Sequence, residues 1–240
     1  RETELLPVPY FHVVFTLPEV LNKTALHEPK MLYDTLFETA WETLQTFGKN
    51  KGLSMGMIAV LHTWGQNLSL HPHVHCIVPG GGVDENGAWK NIKNDGKFLF
   101  SVKALSKVFR AKFCEKLKAN LKDKFNENQE NEYEKIRQSL WEKPWVVYAK
   151  KPFGSPKSVV EYLGRYTHKI AISNGRIRGI DDKTVTFDYK DYRQKGIKKQ
   201  MVLSHEEFIR RFAMHILPKR FVKIRHYGFL SSTWKRIKLK

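Results

Sequence analysis

A chain of 240 residues with 41% hydrophobic content is long enough to bury a sizeable core, which excludes disorder as its organising state. Forty-two Lys and Arg against 24 Asp and Glu leave a formal charge of +18, and an excess of that size points to a polyanionic partner. The two cysteines, Cys76 and Cys114, stand too far apart for a disulfide framework or a cysteine zinc finger, and no apolar run approaches the roughly 18 residues of a spanning helix. These features predict a cytoplasmic protein with no membrane partner.

In chain order, Tyr10 to Pro18 is rich in β-branched and aromatic residues and stops at a proline, which predicts a first central strand. From Lys30 to Phe47 the apolar residues Leu32, Leu36, Phe37, Ala40, Trp41, Leu44 and Phe47 recur at helical steps and end at Gly48. Met57 to Trp64 reads as a strand, Gly65-Gln66-Asn67 as a turn, and Pro72 to Val78 as the returning arm of a hairpin. Residues 103–125 carry Leu105, Val108, Phe109, Phe113, Leu117 and Leu121 among lysines, the pattern of a helix with one buried face. The polar, acidic stretch 126–135 is expected to be a loop. Trp145 to Ala149 follows as a strand, and Ser155-Pro156 opens a helix to about Thr167, with serine as N-cap and proline at the first helical position. Beyond Ser173, alternation over Lys183–Tyr189 and Lys199–Leu203 predicts a small β-meander, and 205–217 returns to helical spacing. From Lys190 to Lys240 there are 15 Lys or Arg against 3 acids, so most of the charge excess lies in the last fifth. That segment is the expected electrostatic footprint.

The histidines carry the most information. His71, His73 and His75 fall within five residues, and on a strand His73 and His75 share one face while Val74 turns into the core. Two imidazoles converging on one point suit a metal ion, and a third ligand is expected from the neighbouring strand, with His62 the choice and Gln66 behind it. His71 joins that face only if the strand starts ahead of Pro72. Surface histidines at a strand edge, or a structural zinc site closed by four protein ligands, are the competing readings.

Tyr162 and Tyr166 lie four residues apart in the 155–167 helix and share a face. Val159 and Leu163 occupy the same arc, so an ordinary core stripe is the alternative. Arg165 and Lys169 flank the pair. A phenol with a pKa near 10 is a poor nucleophile at neutral pH, but neighbouring cations and a metal-polarised phosphate make its attack feasible.

His73-Val74-His75 matches the motif of the HUH (His, hydrophobic residue, His) single-strand DNA endonucleases. The chain most closely resembles the two-tyrosine transposases of rolling-circle insertion sequences, the insertion-sequence ninety-one type. Four ordered blocks carry that resemblance, namely Leu6 to Pro18, His71 to His75 with Gly80-Gly81-Gly82, Tyr162 to Ser173, and Leu217 to Leu230. It implies an α+β fold in which an RRM-like central antiparallel β-sheet is flanked by helices, with the tyrosine helix facing the histidine strand. It also implies a divalent metal, Mg²⁺ or Mn²⁺, on His73, His75 and a third polar ligand. Tyr162 and Tyr166 would be alternating nucleophiles in two strand transfers through a 5′-phosphotyrosine link, with Lys169 or Arg165 assisting. The resemblance further implies a prokaryotic, nucleoid-associated enzyme of DNA transposition acting on single-stranded DNA. The cysteine-rich zinc-binding region that such transposases commonly carry at the N-terminus has no counterpart in this sequence.

The expected division is a nuclease core at 1–175 and a basic, DNA-binding extension at 176–240. Lys219, Arg220, Lys223 and Arg225 are candidate phosphate contacts, and Trp64, Trp89, Trp234 and Tyr227 are candidate stacking platforms. Two other readings stay open, an HUH replication initiator or relaxase with the same chemistry, and a noncatalytic nucleic-acid-binding module with a structural metal.

Overall fold

The computed structural model describes residues 6–92, 99–122, 127–150, 153, 156–167 and 171–234, with the backbone alone at 122, 127–133, 156, 160, 163, 165–167 and 193. In chain order the elements are β1 (Tyr10–Thr16), α1 (Asn22–His27), α2 (Pro29–Lys49), β2 (Gly56–Trp64), β3 (Leu70–Pro79), β4 (Gly81–Val83), β5 (Trp89–Asn91), α3 (Val102–Lys122) and α4 (Glu127–Glu142). They continue as β6 (Val147–Lys150), α5 (Pro156–Thr167), β7 (Ile177–Ile180), β8 (Thr184–Asp191), β9 (Ile197–Ser204), α6 (His205–Ala213) and β10 (Ile224–Gly228).

Five antiparallel strands form the central sheet in the order β10-β2-β3-β1-β6. The period-two alternation of side chains divides the sheet into two unlike faces. Phe11, Val13 and Phe15 of β1, Met57, Ala59 and Leu61 of β2, and Val74, Cys76 and Val78 of β3 are buried in one core with α2 and α3. The opposite face carries His12, Val14 and Thr16 of β1 with His62, His73 and His75, whose registers pair Val14 with His75, Thr16 with His73 and His62 with His73. A second, smaller cluster of Tyr10, Ile58, Ile77, Val159 and Phe229 packs α5 onto this second face. A functional site can lie there because only part of that face is covered.

Several expectations are corrected. The stretch 126–135 was expected to be a loop, but α4 starts at Glu127, and 126 itself lies outside the described residues. Glu, Gln and Lys are good helix formers, acids at the helix start suit its positive end, and the anchoring apolar residues come later. Leu140 is fully buried, Ile136 packs beside it, and the Trp145 indole N–H donates to the Leu140 carbonyl at 2.9 Å. The helix expected over 205–217 ends at Ala213. The boundary at 175/176 does not separate the core sheet from an extension, since β10 pairs with β2 through Ile224–Val60 to Gly228–Gly56. Gly228 fixes that docking. Its φ is +59°, and a Cβ there would fall 1.9 Å from the Met55 carbonyl oxygen and 2.8 Å from Trp41. The meander β7-β8-β9 forms as expected, with Phe187 buried against Phe208 and Phe212 of α6. The Ser155 N-cap lies outside the described residues.

Candidate active site

β2 and β3 are adjacent arms of one hairpin, so His62 and His73 stand directly across from each other, and His75 is two residues further along the same face. One ring nitrogen from each of His62, His73 and His75 lies within 4.8 Å of the others. His62 is buried, and His73 and His75 are half-buried. His73 Nδ1 is 2.6 Å from the His71 carbonyl oxygen. A carbonyl only accepts, so Nδ1 carries the proton and Nε2 keeps its lone pair. This contact fixes both the tautomer and the ring orientation, as the outer partners of metal-bound histidines do.

Burial disfavours the imidazolium throughout the group. It pushes His62 down to about 2, with repulsion from His73 and Lys223 adding to it, and His73 down to about 4. His75 is lowered by burial and by the surrounding histidines and Lys150. The cluster is therefore held neutral at neutral pH, the state in which imidazole binds metal.

A second triangle adjoins the first. The Tyr162 hydroxyl lies 2.8 Å from His12 Nε2 and 2.9 Å from His75 Nδ1, and those two nitrogens are 2.8 Å apart. With Nε2 of His75 offered to a metal its proton would sit on Nδ1, so His75 would donate into this triangle and leave His12 Nε2 to accept. The phenol O–H then points at His12. Burial lowers His12 to about 4, with Lys150 contributing, so an accepting lone pair is present at neutral pH. Phe153 packs edge-on against the Tyr162 ring and at a tilt on the His12 ring.

A cavity of about 840 Å³ opens beside the cluster, with His62, His71, His73 and His75 on its wall. Three nitrogen ligands facing a cavity leave room for an exogenous ligand, whereas a structural site is closed by four protein groups.

The family model Y2_Tnp, described as "Putative transposase", matches residues 56–237. The chain belongs to the Y2_Tnp family. "Putative transposase y4qJ" of Sinorhizobium fredii is 44% identical over the whole chain, which covers 63% of that protein. The "Transposase for insertion sequence element IS801" of Pseudomonas savastanoi pv. phaseolicola is 31% identical over 97% of the chain and 57% of its own length. The chain thus spans about three fifths of the curated relatives it matches. The structure of TrwC complexed with a 27-mer DNA overlays with a TM-score of 0.36 at 15% identity, covering 45% of this chain and 44% of that one, a likeness too slight to build on.

Within this Y2_Tnp chain the fold brings together His62, His73, His75 and Tyr162. Trp64 and Lys223 adjoin them, the Trp64 ring stacked on His62 at 4.7 Å and the Lys223 ammonium 5.1 Å from the Trp64 ring centre. Lys219 and Arg220 are exposed in the segment leading to β10. Arg225 is a correction. Its register partner is Ala59 on the helix side of the sheet, and its guanidinium pairs with Asp34 and lies over Phe37 and Phe221. Tyr227 stacks on Trp41 on that same side, while Trp89 and Trp234 pack on Phe229, so these three rings serve the interior. The side chains of Arg165 and Tyr166, and the whole of Lys169, lie outside the described residues.

The residue missed in the sequence is His12. It has no partner at short spacing, but one signal was present. Phe11, Val13 and Phe15 mark the buried face of β1, so His12 must project from the face that carries His73 and His75 on the paired strand.

Proposed function

We propose that this protein cuts and rejoins single-stranded DNA through a covalent tyrosine link, as the nuclease and strand-transfer unit of a rolling-circle transposase. The observation that carries this reading is the Tyr162 hydroxyl seated 2.9 Å from His75, a member of the three-histidine cluster. A nucleophile and a metal-competent group are thereby held on one sheet face. The names of the transposase relatives point the same way.

His62, His73 and His75 would hold a divalent ion, which when bound neutralises charge on the scissile phosphate as a Lewis acid. Three neutral imidazoles fit such an ion, and their chemistry selects among metals. Imidazole suits first-row transition ions, whereas Mg²⁺ prefers an oxygen shell, so the site favours Mn²⁺ or a neighbour of Mn²⁺ in that row.

Tyr162 is held on His12 and His75, and its phenol proton has an acceptor in His12 Nε2 at 2.8 Å. As the Tyr162 oxygen bonds to phosphorus, the bond from phosphorus to the 3′-oxygen breaks and the phenol proton moves to His12. The departing 3′-oxygen takes a proton from solvent and becomes a free hydroxyl. A later 3′-hydroxyl reverses the step and releases the tyrosine, and Tyr166 is the nucleophile for the second transfer. Lys150 at the end of β6 and Lys223 just ahead of β10 add positive charge beside the site.

The test pairs metal binding with cleavage. Mn²⁺ should raise the melting temperature of the wild type, and His73→Ala and His62→Ala should abolish that rise. Labelled single-stranded oligonucleotides from candidate element ends should give a covalent band with Mn²⁺ and none with EDTA. Tight DNA binding with no adduct under any metal would favour the noncatalytic binding module instead.

A further inference from the structure

We propose that the cavity beside the histidine cluster seats the nucleobase immediately 5′ of the scissile phosphate, the nucleotide whose 3′-oxygen is the leaving group. The proposal rests on the nuclease reading above and adds where the substrate lies and which residues choose its base.

Position is the first argument. The cavity is walled by His62, His71, His73 and His75, whereas His12 and Tyr162 are not among its lining residues. The cluster therefore separates the nucleophile from the cavity. In-line displacement at phosphorus places the entering and leaving oxygens on opposite sides. With Tyr162 as the entering oxygen, the leaving 3′-oxygen and its nucleoside fall on the cavity side.

The lining chemistry is the second. Gln66, Asn67 and Ser69 bring amides and a hydroxyl, Tyr192 brings a ring, and Glu19 and Asp191 bring carboxylates. The Glu19 carboxylate repels a phosphate but accepts hydrogen bonds from the amino group of a base, and side-chain amides match both donors and acceptors on a base edge. Lys190 is exposed at the rim and Asp191 is paired with Lys199 at 2.8 Å, so the lining is not a basic backbone groove. Tyr192 is 70% exposed and offers a stacking face, while the Trp64 ring is already stacked on His62 with Lys223 beside it. The volume, about 840 Å³, is within the range of small-ligand pockets.

Rigidity is the third. The turn between β2 and β3 forms one wall, and three successive carbonyls in it are each held by a side chain from the meander region. Arg176 donates to the Gln66 carbonyl, Arg211 to that of Asn67 at 3.2 Å, and His215 to that of Leu68 at 3.1 Å. Asn67 Oδ1 in turn accepts from the Ser69 hydroxyl at 2.7 Å. Glu207 holds Arg211 at 2.7 Å. Residues flanking the meander thus fix one wall, and Tyr189–Tyr192 at the end of β8 supplies another, a pre-organised pocket rather than a loose surface.

The test uses the whole chain with Mn²⁺ and a single-stranded DNA library randomised over 24 positions, and both fragments of each cut are sequenced. Wild type should show a base preference at the position immediately 5′ of the cut. Tyr192→Ala and Gln66→Ala should flatten it by about fivefold or more, the effect of losing one base contact, and leave any preference 3′ of the cut in place. An unaltered 5′ preference in both variants, or a preference confined to the 3′ side, overturns the proposal. Absence of adduct with every metal refutes the nuclease reading, and with it the placement at a scissile phosphate. Binding of the same library in EDTA separates that failure from failure of the pocket. A pocket that holds a base loses about fivefold in affinity on Tyr192→Ala, and unchanged affinity overturns it independently.

Discussion

Arg225→Ala separates two roles for the basic C-terminal segment, phosphate contact or structural clamp. The Arg225 guanidinium lies 4.3 Å from the Phe37 ring centre and 5.1 Å from that of Phe221, pairs with Asp34, and has only 23% of its side chain exposed. Removing a partly desolvated cation from two rings costs about 1–2 kcal/mol. Loss of the Asp34 pair adds about 1 kcal/mol at most, since Asp34 keeps Lys30 at 2.8 Å. A total of about 1–3 kcal/mol in a chain of this size lowers the melting temperature by about 2–12 °C. The assay is thermal melting alongside single-stranded DNA affinity measured against salt. The clamp role predicts the full melting loss with the salt slope unchanged. A phosphate contact predicts a slope reduced by about 0.7 with no change in melting, and that result would refute the assignment. Lys219→Ala, at an exposed position, should behave in the opposite way.

Three further outcomes follow from local geometry. Gly228→Ala places a Cβ against the Met55 carbonyl, so a urea titration should show a loss of about 3 kcal/mol or more as β10 is forced off β2. Tyr162→Phe should cost only about 0.5–1.5 kcal/mol by the same measurement, because His12 and His75 keep each other at 2.8 Å, although the adduct through Tyr162 is lost. His215 is buried and neutral, with Nε2 on the Leu68 carbonyl and Nδ1 near the Thr63 hydroxyl, and burial lowers its pKa below 6.5. As pH falls through 6.5 the unfolded chain takes up a proton that the folded chain resists, so this group's contribution to stability is lost on acidification, by at most about 1.4 kcal/mol per pH unit. His215→Gln should flatten the decline in urea midpoint between pH 7.5 and 5.5.

The hairpin that carries the histidines was legible because its signals are local. Alternation placed His73 and His75 on one face, and a short turn placed His62 opposite His73. The helices α2 and α3 were legible for a similar reason, since each repeats its apolar stripe over 21 residues. His12 was hidden because its role depends on the β1–β3 register, a contact across 63 residues of chain. The helix α4 was hidden because its apolar anchors, the half-buried Ile136 and the buried Leu140, come after the polar stretch. Charge counting misplaced Arg225 because a net charge carries no direction. On β10, alternation turns Arg225 and Tyr227 towards α2 while Ile224 and His226 turn the other way. The cavity was invisible for a topological reason, as its walls meet only when the end of β8 is folded against the β2–β3 turn.

The most direct test of the central claim is to trap the covalent DNA–protein adduct, digest it, and map the modified peptide by mass spectrometry. The account predicts a 5′-phosphate ester on Tyr162, moving to Tyr166 in the Tyr162→Phe variant, and no adduct in His73→Ala. A link to any other residue, a 3′-phosphate linkage, or an undiminished adduct in His73→Ala would contradict it.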